Sequence, residues 1–145
     1  PYVAQRATLP ALAHQVGGKV VVSCANPVAF DEDGPRPLRV EAGSAAQECA
    51  QLLPGARVVG AFQHVPAARL RRTDEPLGCD VLVTGDDDDA KAVVGALAEL
   101  VPGIRALDAG PLRLSGAVED MTAVLLSVNR RYSAHTGLRL EDVPR

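Results

Sequence analysis

Four short apolar runs constrain this chain more than any other feature: Val20 to Ala25, Val58 to Phe62, Asp80 to Thr84 and Ile104 to Asp108. Each is continuously apolar or nearly so and rich in Val or Ile, the pattern of parallel strands covered on both faces. Parallel neighbours need long crossovers, usually helical, and the intervening sequence supplies them. Ser44 to Leu53 puts Ala45, Ala46, Cys49, Leu52 and Leu53 on one helical face, with Gly43-Ser44 as a start and Pro54-Gly55 as a stop. Asp87 to Val101 does the same with Ala90, Val93, Val94, Leu97, Ala98 and Val101, ending at Pro102-Gly103. A long helix is predicted from about Leu114 to Tyr132, with Val118, Met121, Thr122, Leu125, Leu126 and Asn129 along one side. The fold class is therefore α/β.

The remaining segments read as connections. Asp31 to Val40 carries Gly34, Pro35 and Pro37 and is expected to be a loop. Pro66 to Gly78 is Arg-rich and irregular, with one helical turn at most. The tail from Ser133 is polar and expected to be loosely held.

Composition narrows the function classes. A chain of 145 residues with 47% hydrophobic and 23% charged residues can bury a real core. A net charge of −3 gives no overall field to attract nucleic acid or an anionic membrane. No apolar run approaches the ~20 residues that span a bilayer. Cys24, Cys49 and Cys79 form no CxxC pair and offer no converging zinc ligands, so inert thiols in a reducing, cytoplasmic compartment are expected. The chain opens at Pro1-Tyr2 without an initiating Met, as if cut from a longer one.

In open α/β sheets ligands bind beyond the carboxyl ends of the strands. Here those ends carry Asn26-Pro27, Gln63-His64-Val65-Pro66, Gly85 with the acidic run Asp86 to Asp89, and Asp108 to Pro111. Asn26 and Gln63 are uncharged donor-acceptors that serve either as loop caps or to orient an amide or ring carbonyl. His64 is either an acid-base group or a hydrogen-bonded loop residue. Asp86 to Asp89 is read as helix capping rather than a metal site, because acids in a first turn complement the helix dipole. Thr122 and Met121 fall on the inward side of the last helix, where such residues are mostly core. No GxGxxG, Walker loop or GxSxG elbow is present, and Gly17-Gly18 precedes a strand rather than following one. No nucleophile, acid-base pair or metal cluster stands out.

Several strings, taken in order, point further: Lys19 to Phe30 (KVVVSCANPVAF), Gly43 to Ala46 (GSAA), Ala61 to Ala67 (AFQHVPA), Cys79 to Ala90 (CDVLVTGDDDDA) and Ala106 to Leu112 (ALDAGPL). Together they resemble the NADPH-dependent reductases of the deazaflavin coenzyme F-420, from Tyr2 to about Tyr132. A more distant likeness runs to the cytosolic reductase domain of six-transmembrane metalloreductases. The resemblance implies the last strands of a Rossmann-like parallel sheet, followed by a small α/β C-terminal domain that ends in a long helix. It divides the chain into residues 1–66 on the nucleotide side, a connector at 67–78 and a deazaflavin-side domain at 79–145. The implied cofactors are NADP and coenzyme F-420, an 8-hydroxy-5-deazaflavin. Gln63 and Val65 match strand-end positions lining the deazaflavin pocket; relatives often have His or Asn where Gln63 stands, and the adjacent His64 is carried with it. Asp120 and Thr122 match hydroxyl-bearing positions beside the ring, with an acid unusual at 120. Asn26-Pro27 matches the strand end near the nicotinamide. The implied reaction is direct hydride transfer between nicotinamide and deazaflavin, the protein supplying alignment and water exclusion. The chain by itself is expected to be inactive.

Two other readings stand beside this one. The chain could be a non-catalytic interaction module, or a related reductase domain with a flavin or metal acceptor. Small-molecule coenzymes are the expected partners, with no nucleic acid and no membrane. An unpaired apolar edge on the Val20 to Ala25 strand predicts poor solubility or a homodimer.

Overall fold

The computed structural model describes residues 1–72 and 75–144. Among the described residues there are six strands: β1 (Val20–Ser23), β2 (Val28–Asp31), β3 (Gly34–Pro37), β4 (Arg57–Gly60), β5 (Cys79–Gly85) and β6 (Ile104–Asp108). The α-helices are α1 (Gln5–Thr8), α2 (Ala45–Leu52), α3 (Ala67–Leu70), α4 (Asp88–Glu99) and α5 (Ser115–Tyr132). All four predicted strands and the three predicted amphipathic helices form. The connector carries its single turn as α3, and the part of it at residues 73–74 lies outside the described residues.

The main sheet has the order β1-β4-β5-β6. β1 pairs with β4 in parallel, as β5 does with β6, but β4 and β5 run antiparallel. The expected parallel pairing is present on each side of the connector, and the antiparallel contact falls at the junction between them. Short apolar runs reveal burial but carry no sign of direction, and the connector returns the chain with its sense reversed.

Side chains alternate across the sheet. Val59, Val81 and Val83 face α4 through Ala90, Val94 and Ala98, forming one core. Val58 faces the opposite layer, where Ala46 and Cys49 of α2 and Leu53 just beyond it close a second core with Leu112. Ser44 caps α2 by accepting from the Gln47 N–H at 2.9 Å. Asp87 caps α4 by accepting from the Ala90 N–H at 2.8 Å, and Asp86 accepts from the Leu112 N–H at 2.9 Å. The acidic run thus works as capping, each such bond contributing on the order of 1 kcal/mol.

Two expectations are corrected. The segment read as a loop after Asp31 forms β3, which pairs with β2 in an antiparallel hairpin packed on α5. Glu32 and Asp33 form the turn, Gly34 with φ of 120° opens β3, and among the described residues the strand that holds the two prolines pairs only with β2. The tail is also tied down. The Leu138 carbonyl accepts from the Asp80 N–H at 2.8 Å, and Asp80 Oδ2 accepts from the Leu140 N–H at 2.7 Å. Arg105 pairs with the fully buried Asp80 and also donates to the Leu140 and Val143 carbonyls.

Candidate functional site

The strand ends and α5 enclose a hollow of about 320 Å³. Phe62, with a left-handed φ of 68°, turns the chain just past β4. A non-glycine residue in that region is an uncommon, strained conformation that tends to mark functional positions. Beyond it the Gln63 carbonyl accepts from Asn26 Nδ2 at 2.8 Å and from Thr122 Oγ1 at 3.1 Å, and Thr122 lies 3.0 Å from Asn26 Oδ1. Three residues far apart in sequence therefore meet at one corner of the hollow. The expectation that Gln63 and Thr122 share a crevice agrees with this geometry. Val65 and Pro66 form one wall, while Leu125 and Leu126 of α5 form another.

The contact to Asn26 and Thr122 is made by the Gln63 backbone, not its amide. Both amide atoms are buried without a partner, and Nε2 lies 3.0 Å from where a Gly60 Cβ would stand. Ser23, Gly60 and Thr84 lie side by side across three strands, and Thr84 Oγ1 is 2.6 Å from Ser115 Oγ. A Cβ at Gly60 would come within 2.8 Å of both hydroxyls, so only glycine fits.

His64 is 3% exposed, and its Nε2 lies 2.9 Å from the Asp80 carbonyl. That contact makes Nε2 the donor, and burial lowers the pKa below the usual histidine value. A neutral ring bonded to backbone is the loop-residue alternative rather than the acid-base one.

The other expected positions sit elsewhere. Pro27 is buried, and its carbonyl accepts from the Leu38 N–H at 2.7 Å, holding the hairpin in place. Asp120 is exposed and borders a different depression with Arg39 and Glu41, two positions before Thr122 and so about 200° round the helix from it. The hollow also takes in Asn129, His135 and Thr136. His135 had no sequence signal, because the fold-back of the tail brings it there. Asn129 Oδ1 secures that fold-back by accepting from the Thr136 N–H and hydroxyl at 2.7 and 2.8 Å.

A second hollow of about 660 Å³ lies across Asn26, between the N-terminal turns and the end of β1, and shares Asn26 and Val28 with the first. The start of α2 offers no anion site. Glu119 fills it, accepting the Ala45 and Ala46 N–H groups at 2.7 and 3.0 Å.

No protein-family model matches the chain. Individual relatives do. The chain is 38% identical to the F420-dependent NADP reductase of Methanocaldococcus jannaschii, over 99% of its own length and 66% of the relative's. The reductases of Methanothermobacter thermautotrophicus and Methanothermobacter marburgensis share 34% and 32% identity, again over 99% of this chain, with 64% and 66% of their lengths covered. The chain belongs to this family. It spans just under two thirds of the length of these curated relatives. Among solved structures, a crystal structure from Arthrobacter with the working name of an F420-dependent NADP reductase superposes with a TM-score of 0.84. That match has 23% identity and covers 96% of this chain and 66% of the other, and it supports the fold alone. A Sinorhizobium meliloti protein of unassigned function matches at a TM-score of 0.61 with 28% identity, covering 79% of this chain and 57% of its own.

Proposed function

We propose that this chain is part of an oxidoreductase that moves a hydride between NADP(H) and coenzyme F-420. The corner where Asn26, Gln63 and Thr122 meet carries the reading. It supplies hydroxyl and amide groups against apolar walls, which suit an uncharged flat ring that must be oriented rather than protonated. The coenzymes bring the hydride donor and acceptor carbons; the protein has no proton to move at the reacting atoms. Asn26 and Val28 border both hollows, so a nicotinamide and a deazaflavin would meet at this shared rim, stacked within the ~3–3.5 Å that direct hydride transfer needs. The family's names, F420-dependent NADP reductase, agree with that pairing. In this reading residues 1–66 form the nucleotide side, 67–78 connect, and 79–145 form the deazaflavin side. Buried, unreactive Cys49, with its thiol pushed up to about 11, fits a reducing cytoplasmic setting.

Titration of the chain with oxidised coenzyme F-420, followed by its fluorescence, tests the pocket. Saturable binding is expected, weakened about tenfold in Thr122→Val, which loses the only hydroxyl at that corner. Equal affinity of the two proteins would place the ring elsewhere. Turnover is tested in a protein that also carries the third of the relatives' length not matched here. NADPH should bleach the deazaflavin band and leave a free flavin untouched, and the reverse would point to another acceptor.

A further inference from the structure

Four polar residues follow one face of α5 at steps of four, three and seven: Ser115, Glu119, Thr122 and Asn129. Each is bonded to a different part of the molecule. Ser115 joins Thr84 of β5, Thr122 joins Asn26 and Gln63, and Asn129 joins Thr136 of the tail. Glu119 holds α2. Its side chain is 1% exposed, and among the described residues no cation lies within ion-pair distance of it. Its only compensation is the pair of backbone N–H groups that open α2.

An unpaired buried carboxylate is a costly way to fill space, and an apolar side chain would serve better if packing were all. The two N–H groups point along fixed directions, so two bonds to one carboxylate set both the height and the rotation of α5 against α2. Gly116, on the turn before, permits the approach: a Cβ there would stand 2.7 Å from the Gly43 carbonyl. Thr122 occupies the following turn on the same face.

We propose that Glu119 is a positioning residue: its grip on Ala45 and Ala46 sets the register of α5 and keeps Thr122 within hydrogen-bond reach of Asn26 and Gln63 at the wall of the 320 Å³ hollow. The hollow's role as a deazaflavin site rests on the function proposed above; the positioning claim does not. Glu119→Gln keeps size and removes one of the two acceptors, and Glu119→Asp keeps both acceptors one methylene short. Both are measured, so that a failure of one to fold leaves the other. Two readouts are taken on the whole chain. One is the side-chain amide resonance of Asn26, which touches Thr122 but not Glu119; the other is coenzyme F-420 affinity. A displaced Asn26 resonance together with affinity about tenfold weaker in a folded variant is expected. An Asn26 resonance at its wild-type position, while the Ala45 and Ala46 amides lose exchange protection, would overturn the proposal and leave Glu119 a helix cap only. If the wild-type chain does not bind coenzyme F-420, the proposed function fails, and the Asn26 resonance alone decides the positioning role.

Discussion

At Glu119, burial and hydrogen bonding oppose one another. Desolvation pushes the carboxyl up to about 7, the Ala45 and Ala46 N–H groups pull it down, and neighbouring Asp120 pushes it up slightly. A carboxyl whose folded value exceeds its unfolded one binds more protons when folded. Its stabilising contribution is therefore complete below the ordinary glutamate value of 4.5 and is lost as pH rises through about 7. Asp80 and Asp108 act in the other direction. Held low by Arg105 and Lys91, they stabilise above the ordinary aspartate value of 3.8 and lose that contribution as pH falls. Melting temperature should thus decline between pH 5 and 7 in the wild type and flatten in Glu119→Gln, a pair of curves that thermal scans across that window would check. Gly60 gives a sharper test. Adding a methyl group at Gly60 places it against two buried hydroxyls, so Gly60→Ala should lose roughly 1–3 kcal/mol of stability in urea denaturation. A neutral result there would mean the Thr84–Ser115 pair can move aside.

Among the elements, the tail departs furthest from expectation. Nothing in a polar stretch after Ser133 announces that it will pack, because its anchors are backbone groups bound to Asp80 and Arg105, whose positions depend on the sheet. The hairpin was hidden for a related reason: Pro and Gly punctuate loops and turns alike, and only the partner strand distinguishes them. Strands and amphipathic helices were legible because their periodicity is local. Asn26 and Gln63 were legible as strand-end residues and Thr122 by its helical spacing, and resemblance joined them at one pocket, whereas Ser115 and Glu119 went unread, since polar residues on a helix ordinarily face water. Asp80→Ala should strand Arg105 and release the tail. A loss of about 3–5 kcal/mol is expected, with tryptic cleavage after Arg139 appearing well before the core is digested. Intact protection of Arg139 in that variant would show that the tail has other anchors.

For the whole molecule, the sheet ends at β1, whose outer edge has no strand partner among the described residues. Its three valines are only partly buried. Such an edge invites pairing with another chain, so sizing chromatography should show concentration-dependent association; a single monomeric peak at every concentration would contradict this. About a third of the matched relatives' own length lies outside the match. Finally, α5 engages its surroundings much as a key engages a lock with four wards. A slip of one residue would turn every ward by about 100° and disengage them together. A register slip of α5 would therefore break the four ties together, so the hairpin, α2, the sheet and the tail should let go as one. Calorimetry on the chain should then record a single cooperative transition rather than the separate melting of two halves.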